Sequence, residues 1–469
     1  MRIMFALAAA AACSLFAVSA HAGGFVCAKA TVAQPLTDQD KEAIFLINQK
    51  IHDIKVKKGA SYLGNQNGIM CNAPDGKGKF WHFDNGSVYW SPLTGAHAVV
   101  GLIRKRWAEL NWEQGPLGYP MTDEIDTYDG KAKVTKFQGG QLTWRPWTNA
   151  VTAAMISDLK VDLPSPAGQK WRIVQANGYI LDDPKTAANE GDSHQNPWVY
   201  CYDMVAVDDV TKGANYGASA DAKVVLADQV HANDDSVNSN VVVQYLGLGR
   251  YASSLHIQQN SYNDTFGKGK PALTTTTPWA DRPTAKSGDT IAHVGKTGTG
   301  GEHIHYCITT SPDRSQFAPF ESVPFAFRNY EVLDGSTWKT VAWGRPEKNS
   351  FIRRKANVGG AANTKAGAEN DLLHFGDVQG NISLPAGKTA AGGQLKVTVL
   401  SAWGEPLASG TATASAGGKF SYKLHVPDFT VTVQVAVAGS SDPSVNALKG
   451  TASVMVQANQ ANAANVVLK

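Results

Sequence analysis

The sequence contains few charged residues, and neither sign is in large excess. Of its 469 residues, 43 are lysine or arginine and 40 are aspartate or glutamate, which gives a formal net charge of +3. Proteins that bind nucleic acid through their bulk charge carry a clear basic excess. We therefore expect no nucleic-acid partner, and sparse charge with abundant glycine and alanine favours a β-rich exported protein.

Long hydrophobic runs are also scarce. The one such run lies at the N-terminus. A charged start at Arg2 leads into apolar residues from Ile3 to about Val18, which are followed by the small-residue end Ala20-His21-Ala22. This pattern predicts a secretory signal peptide over residues 1–22. A membrane anchor is the alternative, but the run is short, and the residues that follow it are small instead of basic. We expect a secreted, periplasmic or cell-wall-associated protein without a membrane span after signal cleavage.

Cysteine is rare, with five residues in the chain, and Cys13 lies within the predicted signal peptide. The other four are Cys27, Cys71, Cys201 and Cys307. An even number of cysteines in an exported chain indicates disulfides. Their positions favour two local pairs in two different domains, and Cys27 with Cys71 is the expected first pair.

The chain is longer than one hydrophobic core can organise, so several domains are expected. We predict a mainly β, multidomain protein that is monomeric. The predicted segments are a signal peptide (1–22), an α+β repeat domain (23–160), a domain with a central antiparallel β-sheet (161–350), a linker (351–370) and a C-terminal β-sandwich (371–469).

The N-terminal region contains an internal repeat. Leu63-Gly64 recurs as Leu117-Gly118, and Asp75-Gly76 recurs as Asp129-Gly130 at the same offset. Glycines and aromatic residues that repeat without a gap indicate a duplicated structural unit. Apolar spacing within the region predicts helices over residues 42–54 and 96–110. Paired glycines predict a β-hairpin over residues 133–144.

Two motifs in this region, GPLGYP (115–120) and KFQGGQLTW (136–144), resemble the LGFP repeat of exported bacterial proteins that are associated with the cell wall. The resemblance implies that the region binds the cell wall. The alternative for its aromatic residues is a purely structural role in the core. The residues concerned are Trp81, Tyr89, Trp90 and Trp144.

The C-terminal region shows short runs in which apolar and polar residues alternate. Examples are Gln394 to Leu400, Lys419 to His425 and Thr430 to Val437. Alternation with a period of two between glycine-, serine- and proline-containing turns predicts a small, immunoglobulin-like β-sandwich. We expect a spacer or binding role for this part of the chain.

The chemistry-bearing residues are concentrated in the central region. His303 and His305 are one residue apart in a run typical of a strand, so both side chains can lie on one face. One histidine would serve as a metal ligand and the other as a proton-transfer group. Upstream, His194, Asp203 and His256 lie in or beside further strand-like segments. A hydrolytic zinc site needs three protein ligands, an open position for water and a nearby base.

This region resembles the zinc endopeptidases of the lysostaphin and β-lytic type, which cut peptide bonds in bacterial peptidoglycan. The resemblance rests on His194 with Asp203, on Leu255-His256-Ile257, and on the glycine-rich run from Gly295 to His305. It implies one Zn²⁺ held by His194, Asp203 and His305, with His256 and His303 as catalytic histidines. The chain departs from the family pattern in the long spacing between His194 and Asp203. A second departure is an insertion over residues 268–286, which we expect to form a loop near the cleft.

A pairing argument ties the cysteines to the same strands. If the strands that hold Asp203 and His305 pair antiparallel with these two residues opposite one another, Cys201 also faces Cys307. The register therefore predicts a Cys201–Cys307 disulfide beside the zinc ligands. Cysteine ligation of zinc is the alternative, but the exported chain and the facing register favour the disulfide.

Together these features predict an exported zinc metalloendopeptidase that hydrolyses peptide bonds in bacterial peptidoglycan and is targeted to the cell wall by its N-terminal repeats. Two alternatives stay open. The chain could be a non-catalytic cell-wall-binding protein on a peptidase scaffold, or a zinc protease that acts on glycine-rich proteins.

Overall fold

The structure is a computed structural model, and it describes residues 36–469 except 129, 147, 177, 179–193, 195, 208–210, 275, 312–319, 356–359, 361–362, 365–374, 391–392, 402, 415–419, 428–429 and 457–460. The predicted signal peptide and Cys27 lie outside these residues. Within them, the chain is mainly β and has several sheets, which confirms the predicted fold class. No helix among the described residues is long and apolar enough to cross a membrane.

The N-terminal region consists of two four-stranded antiparallel sheets with two helices. Helix α1 begins at a capping box, in which the side chains of Thr37 and Asp40 each accept the other's backbone N–H. This cap satisfies donors that the first helical turn leaves open. The elements are α1 (Asp38–Lys58), β1 (Gln66–Asn72), β2 (Lys79–Phe83), β3 (Gly86–Ser91), β4 (Gly95–Val100), α2 (Gly101–Glu109), β5 (Ile125–Asp126), β6 (Lys133–Phe137), β7 (Gly140–Arg145) and β8 (Ala150–Met155).

The predicted helix over residues 96–110 is wrong in its first third. Residues up to Val100 form β4, which pairs with β3, and α2 begins only at Gly101. Gly101 has a φ of +57°, a conformation that lets the chain change direction between strand and helix. The apolar spacing that predicts the helix includes Val99, which belongs to the strand. By contrast, Ile103 and Trp107 are buried on α2, as their spacing indicated.

A large central sheet carries the residues that the sequence singles out. The elements of this region are β9 (Leu159–Val161), β10 (Lys170–Ala176), β11 (Tyr202–Ala206), β12 (Asn215–Gly217), β13 (Ala222–Asp228), β14 (Val241–Gly247), β15 (Arg250–Leu255), α3 (Ser261–Asp264), β16 (Thr284–Ala285), β17 (Thr290–His293), β18 (Ile304–Thr309), β19 (Ala326–Asp334), β20 (Thr337–Gly344), β21 (Phe351–Arg354) and β22 (Asn363–Thr364). The strand order of the central sheet is β16-β13-β14-β15-β18-β11-β10-β21-β19-β9-β22, with β20 paired to β19. Its neighbouring strands are antiparallel except for the β9–β19 pair. Strands β12 and β17 form a separate two-stranded antiparallel sheet.

The central sheet extends into the segment predicted as a linker, residues 351–370. Strand β21 pairs with both β10 and β19, so it lies inside the sheet, and β22 pairs with β9. Arg354 at the end of β21 is buried and donates to the Leu163 and Ala218 carbonyls. The glycine- and alanine-rich composition of residues 357–370 concealed these strands.

Two further sheets form the C-terminal sandwich. The strand Thr430–Ala438 shows why this region folds as a sandwich, since Val431, Val433, Val435 and Val437 are buried at every second position against the facing sheet. The elements are β23 (Phe375–Ser383), β24 (Gln394–Leu400), β25 (Pro406–Thr411), β26 (Thr413–Ala414), β27 (Phe420–Pro427), β28 (Thr430–Ala438), α4 (Pro443–Asn446), β29 (Lys449–Met455), β30 (Ala461–Ala463) and β31 (Val466–Val467).

Candidate metal centre

The candidate site is built on two neighbouring strands of the central sheet, β11 and β18. They pair antiparallel with Asp203 directly opposite His305, the register that the sequence predicts. The same register brings Cys201 and Cys307 together, and the two form a disulfide with a Cα–Cα distance of 4.5 Å. The predicted Cys201–Cys307 bridge is thus confirmed. Cys71 is also disulfide-bonded, but its predicted partner Cys27 lies outside the described residues.

His194 comes from the segment before β11 and joins Asp203 and His305 in a buried cluster. The His194 Nε2 and Asp203 Oδ1 atoms are 3.3 Å apart, His305 Nδ1 and Asp203 Oδ1 are 2.9 Å apart, and the two histidine nitrogens are 3.3 Å apart. Ligands about 2.0–2.1 Å from a tetrahedral zinc ion lie about 3.3–3.4 Å from one another. Two of the three distances match this spacing, and the third is shorter by a few tenths of an ångström.

The carboxylate of Asp203 provides a second test of fit. Its Oδ1 atom is buried and lacks a well-formed hydrogen bond within the described part of the chain, although three histidine nitrogens lie within 3.4 Å. Buried polar atoms nearly always have partners, so an orphaned oxygen among imidazoles indicates a bound ion or water. Two histidines and a carboxylate are a typical zinc ligand set. These residues fit a zinc ion.

His303 and His256 border the cluster. His303 directly precedes β18, and its Nε2 atom is 3.4 Å from Asp203 Oδ1. The ring centres of His256 and His303 are 4.7 Å apart, and those of His256 and His305 are 5.5 Å apart. The structure thus brings all five sequence-predicted site residues together. His256, His303 and His305 also lie close enough to one another to form a second possible metal-binding group.

His256 is held in a defined orientation by its surroundings. It follows the last residue of β15 and has a φ of +59°, which is uncommon for a residue with a side chain. Its Nδ1–H donates to the Thr297 carbonyl at 2.8 Å, and its backbone N–H donates to Ser239 Oγ at 3.0 Å. Because Nδ1 carries the proton in this arrangement, Nε2 is the nitrogen that can accept one.

His303 has a similar tether. Its Nδ1–H donates to the Gly301 carbonyl at 2.9 Å, within the glycine-rich segment that leads into β18. The paired use of Nδ1 in His256 and His303 presents Nε2 of both rings for chemistry. Such hydrogen bonds set which nitrogen of a histidine is protonated.

Burial and the neighbouring charged groups both shift the pKa values of the site residues. Burial alone would raise the pKa of Asp203, but His194 and His305 outweigh this effect and hold that pKa well below its usual range. Burial and the neighbouring histidines lower the pKa of His256 to about 3, so its ring is neutral at neutral pH. Burial would also lower the pKa of His303, but the neighbouring carboxylate of Asp203 outweighs this effect and raises it.

Sequence reasoning missed the residues that hold this site in place. Tyr216 in β12 is completely buried, and its hydroxyl donates to the His305 carbonyl at 2.7 Å. Thr297 accepts from the Asn240 backbone N–H through its Oγ1 atom. Thr297 lies within the glycine-rich motif, so its position could have been flagged. Nothing in the local sequence of Tyr216 or Ser239 indicates a contact with the site.

The insertion over residues 268–286 is expected to form a loop near the cleft. Two of its residues lie elsewhere. The Trp279 ring packs against Tyr245, and the Arg282 guanidinium donates to the Val225 carbonyl. Tyr245 pairs with Tyr251, near the start of β15, whereas His256 follows its end. Because the strand separates these positions, this part of the insertion packs at the opposite end from the histidines.

Comparisons with known proteins agree with part of these expectations. The LGFP repeat family matches residues 69–115 and 117–157, so two LGFP repeats are present in the N-terminal region. No curated protein matches the chain. A zinc-containing peptidase from Vibrio cholerae aligns with 12% identity and a TM-score of 0.20, over 56% of this chain and 88% of its own. The Bacillus anthracis TIE protein aligns with 12% identity and a TM-score of 0.14, over 74% of this chain and 73% of its own. These scores are too low to support an argument about the fold.

Proposed function

We propose that this protein is an exported, zinc-dependent endopeptidase that cuts peptide bonds in bacterial peptidoglycan and is held at the cell wall by its LGFP repeats. The observation that carries the proposal is the cluster of His194, Asp203 and His305, whose spacing suits a tetrahedral zinc ion. The sequence resemblance to lysostaphin-type enzymes over the same residues supports the substrate class.

We assign zinc to His194, Asp203 and His305 rather than to the group that contains His256 and His303. The first set includes a carboxylate, which offsets part of the charge of a divalent cation. The second set consists of three imidazoles and contains no carboxylate to offset the charge of the ion. A zinc ion held here would polarise a scissile carbonyl and lower the pKa of a bound water to about 7.

The proton transfers are assigned to His256 and His303, which border the proposed zinc ligands. Because its Nδ1–H is held by the Thr297 carbonyl, His256 can accept a proton from an attacking water at Nε2. His303 lies beside Asp203, which favours its protonated form, so its Nε2–H can donate to the developing oxyanion and then to the leaving amine. The tethers to the Thr297 and Gly301 carbonyls keep both rings oriented during transfer.

The test combines metal content with hydrolysis of purified peptidoglycan, measured as new amino termini. We expect about one zinc per chain and activity that a chelator removes and zinc restores. His305→Ala should lose both zinc and activity. The matched control is His425→Ala, which removes an exposed histidine that also pairs with an aspartate, Asp377, in the C-terminal sandwich.

Two outcomes would contradict the proposal. A zinc-loaded protein that binds the wall without releasing amino termini would be the non-catalytic scaffold. A protein that cleaves glycine-rich proteins and leaves peptidoglycan intact would have a different substrate. Identifying the new termini of defined muropeptides by mass spectrometry would show which bond is cut.

A further inference from the structure

His305 occupies the corner between two different groups of side chains. Two residues along from Asp203 and His305, Cys201, which lies just before β11, is bonded to Cys307 in β18. The Nδ1 atom of His305 is 2.9 Å from Asp203 Oδ1, and its Nε2 atom is 3.2 Å from Cys307 Sγ. One imidazole thus contacts a nitrogen–oxygen ligand set through one nitrogen and a sulfur pair through the other.

The two cysteine sulfurs, together with His305, have the composition of a separate metal site. The ligand atoms of Cys201, Cys307 and His305 all lie within 4.8 Å of one another, and both cysteines are fully buried. In the disulfide the sulfurs carry no charge and do not serve as metal ligands. As thiolates they would be stronger ligands for a soft or borderline ion than the carboxylate of Asp203. Two thiolates and an imidazole leave one open tetrahedral position.

We propose that the chain, before its Cys201–Cys307 disulfide forms, contains a second metal site made of Cys201 Sγ, Cys307 Sγ and His305 Nε2, which takes zinc or another thiophilic divalent ion. Formation of the disulfide removes this site and leaves His305 to the set that contains His194 and Asp203. This claim concerns metal binding alone, so it goes beyond the peptidase function and does not depend on it.

Reduction and re-formation of the disulfide each require an external partner, a dithiol in one direction and a disulfide in the other. A dithiol reductant gives two electrons and two protons to the S–S bond, so the protein gains two thiols and the reductant becomes a cyclic disulfide. Metal binding then displaces the two thiol protons. In the reverse direction a partner disulfide takes the two electrons, the S–S bond re-forms and the ion is released. Because both cysteines are buried, the reduced state belongs to the newly folded chain rather than to reduction of the finished protein.

The test uses the full chain refolded under a dithiol-free phosphine reductant, with Co²⁺ as the probe for zinc. We expect reduced wild-type protein to show the near-ultraviolet charge-transfer band of a cobalt–thiolate bond. The double variant Cys201→Ser/Cys307→Ser keeps the other cysteines and should lack the part of the band that this site contributes. Oxidised wild-type protein should show cobalt bound to nitrogen and oxygen alone.

His305→Gln provides the second variant and tests whether the histidine is shared. In the reduced protein it should lower the cobalt affinity of the thiolate site by roughly tenfold or more. Equal thiolate bands in reduced wild-type protein and in the double serine variant would overturn the proposal. A band that His305→Gln leaves unchanged in intensity and affinity would overturn it as well. Circular dichroism of each variant establishes that it is folded, and loss of peptidase activity plays no part in either outcome.

Discussion

At the scale of single residues, the proposal separates holding the metal from moving a proton. His256→Gln should retain zinc and lower kcat/KM on peptidoglycan about 10²–10⁴-fold, because glutamine keeps the size of the side chain but cannot accept a proton at Nε2. Zinc content and turnover are measured on the same preparation, beside His425→Gln as an exposed control. A His256→Gln protein that loses its zinc would instead assign His256 to the metal.

A second residue-scale prediction concerns Glu113 in the N-terminal repeats. Glu113 is 6% exposed, and neither carboxylate oxygen has a hydrogen-bond partner in the described part of the chain. Burial raises the pKa of Glu113 to about 7, above its ordinary value of 4.5. The folded state therefore favours the protonated form, and stability is lost as the pH rises from about 4.5 through about 7.

Glu113→Gln should remove this pH dependence, because the amide resembles the protonated carboxyl and does not ionise. We expect the variant to match wild type at pH 5 and to be about 1–3 kcal/mol more stable at pH 8.5. Urea unfolding at both pH values, followed by tryptophan fluorescence, measures the difference. An equal stability difference at the two pH values would show that Glu113 is not protonated in the folded protein.

Sequence reasoning reached the central residues of the site because antiparallel pairing is regular. Once Asp203 is set opposite His305, the positions of Cys201 and Cys307 follow from strand geometry alone. Tyr216 could not be found in this way, since its contact with His305 depends on how β12 and β17 lie against the main sheet. Contacts between elements that are not paired leave no period in the sequence.

At the scale of elements, the second repeat is docked on the strand that carries Asp203. The Tyr200 hydroxyl, three residues before Asp203, donates to the Gly140 carbonyl in the repeat. Lys136 in β6 is completely buried, donates to the Ser322 carbonyl and pairs with Glu321 at 3.4 Å. The second repeat therefore packs directly against the central region beside the segment that leads into β11.

Lys136→Met should destabilise this junction by about 3–5 kcal/mol, because it removes the cation that compensates a buried carboxylate. The matched control is Lys133→Met on the same strand, whose partner Asp126 is exposed and whose loss should cost about 0–1 kcal/mol. Denaturant unfolding measures both. Similar losses for Lys133→Met and Lys136→Met would mean that the buried pair contributes no more than the exposed one.

The same scale shows where sequence patterns mislead. The strand β4 and the helix α2 follow one another without a loop, so a single apolar spacing runs through both and predicts one long helix. Strand β21 was missed because it is short and lies beside glycine- and alanine-rich residues, yet it pairs on both sides within the central sheet. Burial of a short strand is decided by its neighbours in space rather than by its own composition.

At the scale of the whole molecule, the C-terminal sandwich is fixed to the central sheet through Trp403. This side chain is 7% exposed, its ring lies 6.3 Å from the Tyr251 ring, and the Arg282 guanidinium lies 4.9 Å from its centre. Trp403 belongs to a hydrophobic cluster with residues of β13, β14 and β15. A sandwich attached in this way keeps a constant orientation towards the site, which a spacer on a loose linker would not.

Trp403→Ala should uncouple the two units, because it replaces the packing of Trp403 against β13, β14 and β15 with a cavity that costs about 3–5 kcal/mol. In calorimetry we expect the sandwich to unfold in a separate transition, while its own valine core keeps that transition cooperative. Trp403→Phe retains an aromatic ring against Tyr251 and Arg282, and it should preserve the coupled unfolding of wild type.

If Trp403→Ala and Trp403→Phe unfold alike, the orientation of the sandwich does not depend on this side chain. Separation with unchanged zinc content and peptidase activity would show that the sandwich is a rigid appendage, whereas a parallel loss of activity would show that it supports β15 and, through that strand, His256.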